Sequence, residues 1–303
     1  MTVAVLGIDW QTLADAVGLG SIYALMAVGI GLVFGVLRLV NFAYGQLIMA
    51  GAYALAYGSE RGWSVWASIL LCFAVVLALS LLMELVVFRP LRAHSPAVML
   101  VATFAVAFLL QSVALLWFKP LGKIATTFPS LNRTITISDV EVRKIAIVAT
   151  ASAVVSLLAL VLLLGRTRVG LQMRAAAMDF STARLLGVRA NRVVGAAVLV
   201  SGLLAGIVAV MLTVQSPLVT PDFALRDTIF VLAGVVLGGM NRLVSATLGG
   251  FAIGFASGLL GGALPTDQSQ FLPSFLFAAV ILVLLIRPGG LFTREGQRAV
   301  ERV

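Results

Sequence analysis

Residues 64–88 read Ser-Val-Trp-Ala-Ser-Ile-Leu-Leu-Cys-Phe-Ala-Val-Val-Leu-Ala-Leu-Ser-Leu-Leu-Met-Glu-Leu-Val-Val-Phe, with no charged side chain before Glu84. A helix of roughly 20 apolar residues spans the hydrocarbon layer of a bilayer, so this run predicts a transmembrane helix. Comparable runs occupy 12–37, 39–58, 96–118, 144–164, 192–214 and 271–287. The region 227–264 is also apolar, but Asn241 and Arg242 interrupt it. It reads either as two short spans or as one span with a re-entrant piece. The chain is therefore expected to be all-α and polytopic, with eight or nine spans forming a single membrane domain over 1–303.

Composition agrees. Of the 303 residues, 61% are hydrophobic and 11% charged, with a mean hydropathy of +1.11. Soluble domains average about 45–50% apolar and about 25% charged residues, so one core cannot hide this apolar surface and the excess must face lipid. The net charge of +9 does not argue for nucleic acid, because the basic residues lie in short loops between apolar runs and not on a polar domain. Such residues mark the cytoplasmic side. With the Arg89–Arg92 loop placed inside, alternation puts fourteen of the 21 Lys and Arg inside as well. Nine crossings then leave the N-terminus outside and the C-terminus inside. The first eleven residues carry no Lys or Arg, so they lack the basic start of a cleavable signal peptide, and the first span is expected to be retained.

Enzymatic signatures are missing. The Gly122-Lys123 pair continues with Ile124, so it is not a P-loop and offers no phosphate cradle. One histidine, His94, and one cysteine, Cys72, nearly exclude a Ser-His-Asp or Cys-His triad, a metal cluster or an intrachain disulfide. The acidic residues are few and scattered. Neither catalysis nor a resident metal or cofactor is expected.

Two loops are long. The external loop 119–143 contains Thr134-Ile-Thr-Ile137, whose alternation suits a short strand or hairpin; it reads equally as a partner-docking surface or a spacer. The cytoplasmic loop 165–192 is too long for a connector. From Gly170 it reads as a helix with Leu171, Arg174, Ala175 and Met178 on one face, then a second turn from Ser181 to Leu186 closed by Gly187 as a C-cap glycine. A short Ala-rich helix of this kind fits a socket on a soluble partner better than a purely topological role.

Within the spans, Gly250, Gly254, Gly258 and Gly262 recur every fourth residue and line one helix face, a spacing that lets helix backbones approach closely in lipid. Gly234 with Gly238, Gly202 with Gly206, and Gly31 with Gly35 repeat it. Polar side chains at membrane depth face a cavity or another helix. The candidates for a translocation path are Asn41 and Gln46, whose position alone suits helix capping slightly better, together with Thr103 and Gln111. Glu84 is expected near the inner surface, offset by Arg89 or Arg92.

Taken in order, Gly20-Ser-Ile-Tyr-Ala-Leu25, Asn41-Phe-Ala-Tyr-Gly45, Glu84 with Arg89-Pro-Leu-Arg92, Leu-Leu-Gln111, Arg174-Ala-x-Ala-x-Asp179, Ala183-x-Leu-Leu-Gly187, Val-Leu-Gly-Gly239 and Leu-Gly-Gly250 resemble the permease subunits of branched-chain amino-acid ABC importers of the LivH type. The resemblance implies an ABC importer permease fold in a bacterial inner membrane. It also implies a second permease subunit, two ATP-binding-cassette subunits that bind the ATP and Mg, and a periplasmic substrate-binding protein. Loop 165–192 becomes the coupling helix, with Arg174, Asp179, Ala183, Leu186 and Gly187 as the residues that engage the ATPase. Such relatives commonly have Asn-Phe-Ala-His-Gly-Glu where this chain has Tyr44 and Gln46. They usually continue Gly-Ser-x-x-Gly-Ala where this chain has Asn241-Arg-Leu-Val-Ser-Ala246. Both departures bear on the solute. Urea, amides or small carboxylates are the alternative cargo. A stand-alone secondary transporter or channel is the alternative class; it predicts ion-coupling carboxylates in mid-span, and no convincing one stands out in the sequence.

Overall fold

A computed structural model describes residues 9–37, 40–92, 94–118, 120–128, 130–131, 133–137, 140–178, 180–239, 243–265, 268–287 and 290. Helices dominate because apolar segments in lipid must satisfy every backbone group internally. In chain order they are α1 (Trp10–Leu37), α2 (Tyr44–Glu60), α3 (Val65–Met83), a π-helical turn (Glu84–Phe88) running into α4 (Arg89–Leu91), α5 (Pro96–Phe118), α6 (Lys144–Arg166), α7 (Arg168–Met178), α8 (Phe180–Leu185), α9 (Ala190–Gln215), α10 (Leu225–Gly238), α11 (Leu243–Ala263) and α12 (Leu272–Ile286). Seven helices are long and apolar enough to cross a membrane by length and composition. The expected eight or nine spans are reached only by adding α2, with 17 residues, and α10, with 14. At 1.5 Å per residue α10 is about 21 Å long, less than the ~30 Å hydrocarbon thickness. Region 227–264 thus forms a short helix and a long one packed antiparallel; Asn241 and Arg242 lie outside the described residues.

The helices fall into two halves whose packing is reciprocal. In the first half, α2 and α3 form an antiparallel hairpin and α5 leans on α2; in the second, α10 and α11 form the hairpin and α12 leans on α10. Across the halves, α1 packs along α11 while α9 packs along α3, and α10 touches α1 while α2 touches α9. Opposite directions of α1 and α9 make the halves inverted copies: Ser201 of α9 donates to the Gly29 carbonyl of α1 at 2.9 Å, and the end of α9 at Gln215 lies beside the start of α1 at Thr12. Inverted-topology repeats of this sort are a common plan of membrane transporters. α6, α7 and α8 connect the halves.

The α1–α11 seam uses the expected glycine face. Gly250 sits against Ala27 and Tyr23, Gly254 against Gly20, Gly258 against Ala16 and Gly262 against Thr12. A Cβ on Gly254 would stand 2.8 Å from the Gly20 Cα and 2.9 Å from the Leu19 carbonyl, so the approach is backbone to backbone. Helix α1 is accordingly the most enclosed of the long spans.

At the end of the bundle near the start of α1, the run Thr134–Ile137 forms β2, paired antiparallel with β3 (Val140–Arg143). A second ladder pairs β1 (Lys123–Ile124) with β4 (Leu218–Val219), and Lys123 forms an ion pair with Glu60. At the other end, Glu84, 4% exposed, accepts from Arg92 Nη2 at 2.6 Å, and Arg92 Nη1 donates to Asn191 at 2.9 Å. Of the two arginines offered for Glu84, Arg92 makes the contact.

Candidate functional site

Both short helices begin in the middle of the bundle, and for the same local reason. Asn41-Phe42-Ala43 precedes α2 and Asp222-Phe223-Ala224 precedes α10. In each, the amide that opens the helix donates to the Asx carbonyl, Tyr44 to Asn41 and Leu225 to Asp222. In each, the amide four residues past the alanine returns to it, Leu47 to Ala43 and Thr228 to Ala224. The Asn41 side chain also accepts from the Ala43 amide at 3.0 Å, an Asx turn just before the helix. Thr103 is fully buried; its hydroxyl donates to Leu100 and accepts from the Phe42 amide, while Phe42 stacks on Phe104 at 4.0 Å. Helix α5 thereby clamps the turn that starts α2.

The two helix starts meet. A Cβ on Gly45 would lie 3.0 Å from the Ala224 carbonyl and closer still to the Thr228 hydroxyl. Glycine is required there because the first turns of α2 and α10 touch. Tyr44 rests against Gly29, two turns before the end of α1, so α2 opens at mid-bundle. The Tyr23 hydroxyl, midway along α1, donates to Asp227 Oδ1 at 2.6 Å. Asp227 is a carboxylate at mid-bundle that the sequence did not single out, because there it looks like an ordinary acidic first-turn residue. Gln46 is 1% exposed and its Oε1 has no hydrogen-bond partner among the described residues. The structure thus brings Asn41 and Thr103 together and sets Gln46 in the adjoining first turn. Gln111 is half-buried further along α5 and makes no bond to them. Opposed half-helix N-termini carry partial positive charge, and in repeat-built transporters such discontinuities mark the substrate region.

The second site is α7–α8. Its inner side, Gly170, Met173 and Ala176, is buried, whereas Leu171 is 60% and Met178 86% exposed, with Arg174 beside them. The face grouped from the sequence is the exposed one, with Arg174 and Met178 also edging a cleft against α1. Asp179 lies outside the described residues. Ala183 is buried within this chain, Leu186 is 81% exposed and Gly187 is exposed with φ +88°. The Val188 amide returns to the Ala183 carbonyl at 3.0 Å, which completes a Schellman-type stop and explains the glycine. The element therefore presents Leu171, Arg174, Met178, Leu185 and Leu186 outward. Among the described residues no group of His, Cys, Asp and Glu could hold a metal ion.

A bundle of inverted halves with discontinuous helices and a projecting helical loop defines a polytopic membrane permease. More particularly, residues 12–286 match the family model described as branched-chain amino acid transport system / permease component, and the chain belongs to that family. It is 29% identical over 305 residues to the high-affinity branched-chain amino acid transport system permease protein BraD of Pseudomonas aeruginosa, with 97% of each chain covered. It is 28% identical over 308 residues to the corresponding permease LivH of Escherichia coli K12, again with 97% of each covered. Two solved structures share the fold at low identity. One is an ABC transporter assigned to the metal-chelate type, facing inward, at TM-score 0.51, 16% identity and 94% and 89% coverage of this chain and that one. The other is PsaBC from Streptococcus pneumoniae in complex with Fab, at TM-score 0.51, 13% identity and 93% and 94% coverage. The protein is a multi-pass inner-membrane ABC permease component.

Proposed function

We propose that this chain is the membrane permease subunit of an ATP-driven importer for branched-chain and other hydrophobic amino acids, receiving solute from a periplasmic binding protein. The family match over 12–286 carries the reading. The outward face of α7–α8 supports it: two helices close to the membrane end, with apolar side chains and Arg174 projecting, suit the groove of an ATPase. In this reading α7–α8 is cytoplasmic, the β2–β3 hairpin is external, and Arg174, Asp179, Leu186 and Gly187 transmit the ATPase stroke, with Ala183 setting the pitch of α8 from inside. ATP and Mg are bound by two partner ATPase subunits, and a second permease subunit completes the membrane unit. Solute passes near the junction of α2 and α10, where Asn41, Thr103 and Gln46 sit. The Tyr23 hydroxyl already engages Asp227, which favours a structural role for that carboxylate over ion coupling.

The test is a mild-detergent pull-down of the tagged chain from its native membrane, with mass spectrometry of what accompanies it. Recovery of an ABC ATPase and a second apolar permease is expected. Repeated recovery of the chain alone, in several mild detergents, would replace this reading with a stand-alone transporter or channel.

A further inference from the structure

A cavity of about 300 Å³ opens at the end of the bundle opposite α7–α8, among α1, α6, α9 and α11. That volume is at the lower end of small-molecule sites, which run from roughly 300 to 1,000 Å³. Its walls combine three chemistries. Asp15 and Arg143 face each other there, with Arg143 Nε donating to Asp15 Oδ1 at 3.1 Å. Both side chains keep about a third of their surface exposed, 32% and 35%. Gln215 adds a carboxamide whose oxygen is buried without a hydrogen-bond partner among the described residues. Leu19, Ile22 and Ala146 supply apolar surface beside them.

We infer that this cavity is a binding subsite for a small apolar zwitterion, a free aliphatic amino acid; the inference rests on the importer reading given above. The Asp15 contact uses one of the five N–H donors of Arg143, and the terminal guanidinium nitrogens form a fork that matches a carboxylate. Asp15 also receives Gln11 Nε2 at 3.4 Å and retains lone pairs for an ammonium group. Turning the Gln215 carboxamide oxygen toward that ammonium satisfies a buried acceptor. The ligand's opposite charges thus meet opposite charges already held side by side, and its hydrocarbon chain lies on Leu19, Ile22 and Ala146. A singly charged ligand leaves one member of the pair without a match, which makes the site selective for both charges together. A phospholipid with an ethanolamine headgroup offers the same two charges, and the experiment separates the two sources.

The experiment measures equilibrium binding of radiolabelled leucine to the intact transporter complex in nanodiscs of phosphatidylcholine and phosphatidylglycerol, without binding protein or ATP. Saturable binding is expected, displaced by unlabelled isoleucine but not by isoamylamine or 4-methylpentanoate. In Asp15→Asn and Arg143→Gln complexes the affinity should fall by roughly tenfold or more, while Lys123→Gln, which breaks an exposed pair elsewhere, leaves it unchanged. Equal displacement by the amine or the acid in the unaltered protein would overturn the zwitterion assignment whatever the variants do. Absent leucine binding in a complex that still imports leucine with ATP would overturn the subsite and leave the importer reading standing. Retention of an ethanolamine phospholipid that the two variants lose, with no leucine binding, would overturn the amino acid as occupant. A complex that binds leucine but imports it under no condition would overturn the importer reading alone.

Discussion

The two half-helices start alike, and the difference that decides how each is held lies at Gln46 and Asp227. The register that lays Asn41 on Asp222 also lays Gln46 on Asp227 and Tyr23 on Leu204. On one side Asp227 finds the Tyr23 hydroxyl of α1. On the other, the equivalent place on α9 is Leu204, whose side chain has nothing to donate, and Gln46 Oε1 is buried without a partner among the described residues. The same backbone motif thus carries a satisfied acid in one half and an unsatisfied amide in the other. Inverted copies supply two matching helix starts, and the side chains decide which is tied down. Helix α10 is fixed to α1 by a hydrogen bond, and α2 is held by packing and by Thr103. If the halves move against each other during transport, the side-chain bond between a half-helix start and the opposite half that must be remade is Tyr23–Asp227, on the α10 side.

The largest effect should come from the seams between halves. Along α1–α11 Gly250, Gly254 and Gly258 meet main-chain atoms, whereas along α3–α9 the glycines meet side chains: Gly206 faces the Phe73 ring at 2.8 Å and Gly202 faces Ser80. Gly254→Leu must push two main chains apart and is expected to cost about 3 kcal/mol or more, seen as loss of monodisperse protein or a collapsed thermal midpoint in detergent. Gly202→Ala must displace the Ser80 hydroxyl and its Cβ, at 2.9 Å, but no main chain of the facing helix, and should cost about 1–2 kcal/mol. Equal damage at the two seams would break the distinction. Next in size is Glu84, whose ion pair with Arg92 has no counterpart in the second half among the described residues. Glu84→Ala leaves a largely buried guanidinium without its carboxylate and should cost about 2 kcal/mol. Arg92→Ala combined with Glu84→Ala leaves no unpaired charge and loses only the exposed bond from Arg92 to Asn191, so it should cost little more than the single change.

Much of this was legible from the sequence. The runs at 64–88, 96–118 and 144–164 became helices within a few residues of the expected ends, because apolar length alone dictates a span. The α7 face was legible because Leu171, Arg174 and Met178 follow helical spacing. The half-helices were not. Three residues of Asx-Phe-Ala carry little weight once, and only their second occurrence before another helix gives them meaning. Helix α10 is too short to announce itself, and its Asp227 acquires a role only through Tyr23, 204 positions away. Asp15 and Arg143, 128 positions apart, likewise read as isolated surface charges until α1 and β3 are set side by side.

Tyr23→Phe tests the tied half. It removes the donor to Asp227 and keeps the ring, so the expected loss is about 1–2 kcal/mol from a partly buried carboxylate left without its hydrogen bond. Asp227→Asn should lose less, because an amide oxygen still accepts from Tyr23. A double-mutant cycle with Asp227→Ala reads the coupling: if the pair interacts as the geometry states, the Tyr23 change costs almost nothing once the carboxylate is gone. Independent, additive losses would mean that Tyr23 acts through packing alone.

The smallest effect, and the one with the opposite sign, is expected at Gln46. Removing a buried acceptor that makes no hydrogen bond relieves a desolvation cost without breaking a contact, and leucine retains the apolar stem. Gln46→Leu should therefore leave the thermal midpoint unchanged or raise it slightly, by no more than about 1 kcal/mol. If stability is preserved while uptake by the intact complex falls, the unpartnered amide is there for the solute, at the helix start left free of an α9 partner. If the substitution destabilises the protein as much as Tyr23→Phe does, Gln46 is as firmly tied as Asp227 and the asymmetry between the two half-helices disappears.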